Sequence, residues 1–353
     1  MRKKVRVLVV DDSRYVVMTV TKKLQSDPEI EVIGSAYNGR EAVEKVKSLH
    51  PDVVTMDIVM PEMDGIKALE TIMAECPTPV IMLSALTSAN AEPTIRALQL
   101  GAVDFYLKLS EIKPVATGME DDGLAAKIKI AAVTNIRRKN IEPTHSPPVF
   151  LKQGSGKKAP FSTLVVIGSS TGGPRALMQV IPFLPADIPA AILVVQHMPA
   201  VFTRSLAERI AQSSQIEVME AREGSTITRG QALIAPGDFH MVINDKFNIC
   251  LNQEPPNLGV RPSVDYTMKS AANIFGPSVL GIILTGMGTD GTKGASAIKA
   301  EGGRIFAQDE ATSAVYGMPQ SVAKAGYVDK VYPIQQMAQK ITEACNVPAG
   351  AIP

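Results

Sequence analysis

The sequence predicts two α/β domains in tandem, and three observations carry that expectation. Short apolar runs alternate with helix-like stretches through most of the chain, a proline- and glycine-rich stretch breaks the alternation before residue 160, and 353 residues suffice for two cores of ordinary size. In the first part, strands are expected at Val5–Val10, Glu31–Ala36, Val53–Met56, Val80–Leu83 and Asp104–Tyr106. Helix-like stretches lie between them, for example Gly39–Leu49 and Glu92–Leu100. Five strands alternating with helices imply one five-stranded, doubly wound parallel sheet. The expected boundaries are 1–125 for this domain, 126–160 for its last helix and a linker, and 161–347 for the second domain. Between Arg137 and Pro160 stand four prolines, the run Gly154-Ser155-Gly156, and six Lys or Arg against one Glu, so a solvated basic tether is expected. From Phe161 the pattern resumes, with strands expected at Leu164–Ile167, Ala191–Val195, Ala232–Ala235, Val279–Leu284 and Arg304–Ala307. Helices are expected at Pro174–Val180, Phe202–Gln212, Val264–Phe275, Thr292–Ala300 and Ser321–Ala325. Met241–Asn244 and Phe247–Leu251 flank Asp245-Lys246 and suggest an inserted hairpin in a mainly parallel, doubly wound second domain.

Composition narrows the function classes. A net charge of +1 gives no global electrostatic case for nucleic acid or a membrane surface. The basic start Met1-Arg-Lys-Lys leads into an apolar run that ends at Val10, too short for a secretory signal. No apolar run approaches the ~18 residues of a membrane span. Cys76, Cys250 and Cys345 are far apart and odd in number, which supports neither a zinc site nor a disulfide framework. A cytoplasmic protein without membrane insertion is expected.

In the first domain, chemistry gathers at the carboxyl ends of the strands. Asp11 and Asp12 close the first strand and Asp57 closes the third. A parallel sheet brings these ends to one edge, where open α/β folds bind ligands. Three converging carboxylates repel one another unless a cation is bound, and their oxygens suit Mg²⁺. Ser84 closes the fourth strand and Lys108 follows the fifth, so a hydroxyl and an ammonium can meet phosphoryl oxygens there. With Val9-Val10-Asp11-Asp12-Ser13, Met56-Asp57-Ile58-Val59-Met60-Pro61-Glu62-Met63-Asp64-Gly65 and Asp104-Phe105-Tyr106-Leu107-Lys108, residues 1–108 resemble a response-regulator receiver domain of flavodoxin-like fold. The resemblance implies Asp57 as phosphoacceptor, Asp11, Asp12 and Asp57 as Mg²⁺ ligands, Ser84 and Lys108 as phosphoryl sensors, and Tyr106 as the aromatic switch. One departure stands out: Leu109 follows the lysine where such domains usually have proline. A cis bond before leucine costs roughly 3 kcal/mol, so this peptide is either strained or trans with a different loop.

The second domain opens with a strand running into Gly168-Ser169-Ser170-Thr171-Gly172, a G-x-S-x-G pattern. Small residues on both sides allow a sharp turn that projects a serine hydroxyl from the sheet edge. A phosphate-cradling loop is the competing reading, but no Lys-Ser/Thr follows and the glycine spacing is not G-x-G-x-x-G. Ser169 is a rival nucleophile, but only Ser170 centres the pattern. Serine needs a base and an orienting carboxylate. His197 directly follows the second strand of this domain, and Asp290 lies in Leu284-Thr-Gly-Met-Gly-Thr-Asp-Gly291 after the fourth. Ser170, His197 and Asp290 thus all sit past strand carboxyl ends. His240 is the other candidate base, in a turn with Asp238, while His50 and His145 fall in the first domain and the linker.

The order Ser…His…Asp differs from that of lipase-type hydrolases. Ile167-Gly-Ser-Ser-Thr-Gly-Gly-Pro174, Val195-Gln-His-Met-Pro199, Ala235-Pro-Gly-Asp-Phe-His-Met241, Arg261-Pro-Ser-Val-Asp265 and the segment around Asp290 resemble the catalytic domain of the chemotaxis protein-glutamate methylesterases, the CheB family, over residues 162–347. The family usually has Ala where Ser169 stands. The resemblance implies hydrolysis of glutamate γ-methyl esters on chemoreceptors and deamidation of receptor glutamines, with no cofactor in the hydrolytic step. It implies the Met287 amide, aided by the Thr171 region, as oxyanion donor. A chemotaxis histidine kinase is the implied phosphodonor, and an interface between the two domains would carry regulation. The competing readings are an esterase or amidase on another substrate and a non-enzymatic, protein-binding regulator. No helix-turn-helix pattern or basic recognition helix supports DNA binding.

Overall fold

The computed structural model describes residues 4–85, 88–108, 123–134 and 161–346. The proline-rich part of the expected linker and the Leu109 side of the Lys108–Leu109 peptide lie outside these residues. The chain divides into two compact units, Met1–Asn140 and Ile141–Pro353.

The first unit is built on five parallel strands: β1 (Val5–Val10), β2 (Ile30–Ala36), β3 (Val53–Asp57), β4 (Val80–Ala85) and β5 (Asp104–Lys108), in the order β2-β1-β3-β4-β5. Helices α1 (Arg14–Gln25), α2 (Gly39–Leu49), α3 (Gly65–Glu75), α4 (Ser88–Leu100) and α5 (Gly123–Val133) alternate with them. Helix starts carry their own punctuation. Asn38 accepts from the Glu41 N–H at 2.8 Å and Asp64 from the Lys67 N–H at 2.7 Å, which meets donors the first turn leaves unpaired. On one face of the sheet, Val7, Val9, Ile81 and Leu83 pack with Val17 and Leu24 of α1 and Leu124 and Ile128 of α5.

The second unit has a seven-stranded, wholly parallel sheet: β6 (Thr163–Ser169), β7 (Ala190–Gln196), β8 (Glu217–Glu220), β9 (Gln231–Ile234), β12 (Val279–Ile283), β13 (Arg304–Gln308) and β14 (Lys330–Tyr332). The order is β14-β13-β12-β6-β7-β9-β8. The expected hairpin is present as β10 (His240–Ile243) and β11 (Ile249–Asn252), with a longer turn in which Asn244 Oδ1 accepts from the N–H groups of Lys246 and Asn248. Helices α6 (Gly173–Val180), α7 (Ala200–Ser213), α8 (Val264–Phe275), α9 (Thr292–Ala300), α10 (Met318–Lys324) and α11 (Ile334–Cys345) complete the unit. β6, β7 and β12 are buried along their whole length, as expected of strands covered on both faces. From β6 the chain first builds outward through β7, then returns to β12 on the other side. The strand order therefore reverses between β6 and its neighbours, and such a switch point opens a crevice at the carboxyl ends.

Candidate active site

Ser170 is the first residue past β6, at that switch point. Its N–H donates to the Thr285 carbonyl past β12 at 3.0 Å, and the Thr285 hydroxyl donates to the Thr171 carbonyl at 3.0 Å. Gly286 is a glycine for a steric reason: a Cβ there would stand 2.8 Å from the Cβ of Ser170. These contacts fix the serine against the loop that carries Met287 and Asp290. Met287 is 49% exposed at the surface of this loop, while Thr171 is buried.

His197 follows β7, and its N–H donates to the Ser169 carbonyl at 3.1 Å. Its Nε2 lies 2.8 Å from Oδ2 of Asp290. The Asp290 carboxylate also accepts from the Val264 and Asp265 N–H groups at 2.7 and 3.1 Å, the Ser263 hydroxyl at 2.8 Å, and Asn257 Nδ2 at 3.3 Å. Val264 and Asp265 open α8, so the carboxylate sits at a helix N-terminus. Burial alone would push this carboxyl up, but the imidazole hydrogen bond and charge, with the Val264 N–H and the Ser263 hydroxyl, outweigh it and hold the group below its usual range. An ionised Asp290 requires a proton on Nε2 and leaves Nδ1 of neutral His197 as a base.

Residues without an assigned role in the sequence reading complete the site. Asp265, 1% exposed, accepts from the Gly291 and Gly294 N–H groups at 3.0 and 2.7 Å. Asp290 thus caps α8 while Asp265 caps α9, which locks the Asp290 loop from both sides. Burial raises the Asp265 carboxyl, and the nearby Asp290 adds to the rise. The signal was a Ser-x-Asp at a helix start. The tie to Asp290 is tertiary and not visible in spacing. His240 is remote from this role: it is fully buried, stacks on Tyr266 at 4.0 Å, and bonds the Pro255 carbonyl through Nε2 at 3.2 Å.

The first unit gathers its acids as expected. One oxygen each of Asp11, Asp12 and Asp57 lies within 4.8 Å of the others. Lys108 Nζ reaches Asp11 Oδ2 at 2.5 Å and Asp57 Oδ1 at 2.8 Å. Burial raises the Asp57 carboxyl, and the lysine offsets only part of that. Three hard oxygen donors at a sheet edge fit a Mg²⁺ ion. Ser84 Oγ is 2.9 Å from Thr94 Oγ1 of α4. Strand parity changes one expectation. The register pairs Ser84 with Leu107 and Leu83 with Tyr106, so Tyr106 faces away from Ser84, into the α1/α5 core, where Lys23 Nζ donates to its hydroxyl at 2.9 Å. Phe105, paired with Met82 and buried, is the aromatic on the Ser84 face.

Comparison with known proteins places both units in known families. The model of the CheB methylesterase family matches residues 165–341, and that of the response regulator receiver domain matches residues 7–116. A protein-glutamate methylesterase/protein-glutamine glutaminase of Symbiobacterium thermophilum is 47% identical over 351 residues, covering 96% of this chain and 97% of that protein. The chain belongs to the CheB methylesterase family. A CheB relative of the same description from Thermotoga maritima is 45% identical over 343 residues, 96% of this chain and 98% of its own. The crystal structure of the Thermotoga maritima CheB methylesterase catalytic domain aligns with a TM-score of 0.51 at 46% identity, covering 52% of this chain and 98% of that one.

Proposed function

We propose that this chain is a receiver-controlled hydrolase that removes methyl groups from glutamate γ-methyl esters of chemoreceptors and deamidates receptor glutamines. The observation that carries the reading is the His197–Asp290 pair, 2.8 Å apart with its carboxylate buried, at the sheet edge that also bears Ser170. The names of the CheB relatives support the substrate class.

In this reading Ser170 Oγ attacks the ester carbonyl and His197 Nδ1 takes its proton, while Asp290 holds the Nε2–H tautomer and stabilises the imidazolium. The Met287 amide and the Thr171 region donate to the oxyanion. The imidazolium returns the proton to the leaving methoxide, and methanol departs. Water, deprotonated by His197, then attacks the acyl-enzyme. The glutamate carboxylate is released and Ser170 recovers its proton. On a primary amide the same steps release ammonia. The hydrolytic step uses no cofactor.

Regulation enters through the first unit. Asp57 accepts a phosphoryl group from a chemotaxis histidine kinase. Asp11, Asp12 and Asp57 would hold Mg²⁺, which when bound screens negative charge during phosphoryl transfer. Ser84 and Lys108 bind the phosphoryl oxygens, and Phe105, rather than Tyr106, is the aromatic placed to follow Ser84. In this division the receiver runs through α5 (Gly123–Val133), whose Leu124 and Ile128 pack in its core, and the hydrolase domain begins near 161. The protein acts in the cytoplasm, and no helix among the described residues is long and apolar enough to cross a membrane.

Methanol release from methylated receptor membranes tests the reading. Ser170→Ala is expected to lower the rate at least ~10³-fold. Asp57→Asn is expected to block labelling by acetyl phosphate with Mg²⁺. Full methanol release by the Ser170→Ala variant would sink the serine mechanism.

A further inference from the structure

We infer that Gln196 is a positioning residue for both the nucleophile and the base, and that the Ser169 hydroxyl supports it by donating to the far end of its amide. The inference rests on the reading of Ser170 and His197 as the reacting pair. Gln196 ends β7 and Ser169 ends β6; they are 2% and 0% exposed. Gln196 Nε2 donates to the carbonyl of Ser170 at 2.9 Å and to that of His197 at 3.0 Å. Two carbonyl oxygens can only be met by the NH₂ end, so the chemistry fixes which way the amide lies. Oε1 then faces Ser169 Oγ at 2.7 Å. Because Oε1 can only accept, the serine hydroxyl is the donor. Gly173 supplies the room, since a Cβ at that position would overlap Oε1 of Gln196. One buried side chain thus clamps the main chain of the two residues that must meet, with both amide ends satisfied.

The clamp bears on the oxyanion as well. In a trans peptide the C=O and N–H point in opposite directions. The Ser170 carbonyl is held by Gln196 Nε2 and by the Gly173 N–H, the latter at 2.8 Å. That fixes the direction of the Thr171 N–H on the other side of the same peptide. The amide after the nucleophile is the one a nucleophile elbow offers to the oxyanion. Gln196 acts on the transition state through this peptide without touching substrate.

The test uses the full chain and methylated receptor membranes. Gln196→Met keeps the size and removes the hydrogen bonds. It is expected to lower kcat about 10- to 100-fold with KM changed less than about twofold. Affinity for a serine-directed boronate, which mimics the tetrahedral state, should fall by the same factor as kcat/KM. Unchanged boronate affinity would reduce Gln196 to packing and overturn the proposal. Should the Gln196→Met variant fail to fold, Gln196→Leu serves in its place, because its side chain can donate to neither carbonyl; wild-type kcat in that variant also overturns it. Ser169→Ala is expected to cost a few-fold, about 2 to 5, in wild type and nothing further in the Gln196→Met background, because it acts through Gln196. Additive effects would refute that order. Methanol release that survives Ser170→Ala would instead remove the underlying reading, a separate result.

Discussion

At the scale of single residues, Asp290 shows how electrostatics and folding share one side chain. Five donors converge on its two oxygens: His197, Val264, Asp265, Ser263 and Asn257. The sum holds its carboxyl below the ordinary value of 3.8 despite burial. A folded-state pKa below the unfolded one means that the group stabilises the fold above the unfolded value, and that this contribution is lost as pH falls through the lower folded value. Asp290→Asn should therefore lower the unfolding midpoint of the second unit at neutral pH. The gap from wild type should shrink as the solution is taken below pH 3.8. In activity the loss should reach as much as ~10⁴-fold in kcat, because an amide no longer enforces the Nε2–H tautomer. Methanol release and acid unfolding measured on the same variant check both. A variant with normal turnover would show that His197 needs no orienting carboxylate. Ser170, His197 and Asp290 could be singled out in the sequence because each follows a strand-like run, Ser170 and Asp290 among glycines and His197 directly after the strand. Gln196 and Asp265 were not assigned roles, because what they do depends on carbonyls and N–H groups that only the folded chain brings to them.

Elements differ in how far the sequence reveals them, and the physical reason is burial. The central strands β6, β7 and β12 are buried on both faces and read as continuous apolar runs. The edge strands β8 and β14, Glu-Val-Met-Glu and Lys-Val-Tyr, are too short and too exposed to give such a run, and the sequence did not reveal them. Strand parity was the other limit. Tyr106 and Phe105 are adjacent aromatics, and only the pairing of Leu83 with Tyr106 decides which one shares a face with Ser84. The turn that carries Asn257 offers a test at this scale. Asn257 and Val260 bond each other's main chain at 3.1 and 3.0 Å, and the two residues between them, Leu258 and Gly259, have φ of +53° and +79°. Positive φ at both central positions suits Asn-Gly far better than Leu-Gly. Leu258 is also 59% exposed, so little packing compensates for its conformation. Leu258→Asn is expected to stabilise the second unit by about 1 kcal/mol, read from its denaturant midpoint. A lower midpoint would mean that the leucine side chain makes up for its backbone strain.

For the molecule as a whole, the two units have separate sheets and separate cores. The proposed substrate is a protein, and a protein segment needs open access to the crevice at the ends of β6, β7 and β12. A receiver that blocks this access when Asp57 is unphosphorylated, and is released by phosphorylation, would act by shifting a population rather than by adding chemistry. This makes a specific demand on rates. A fragment that begins at Phe161 should hydrolyse methylated receptor faster than the unphosphorylated full chain, and full-length Asp57→Asn should stay at the slow rate in the presence of acetyl phosphate. A small ester substrate, which needs less room, should show a smaller difference between fragment and full chain. If fragment and unphosphorylated full chain act on receptor at equal rates, the receiver does not gate access, and Asp57 must control the enzyme by recruiting it to its substrate instead.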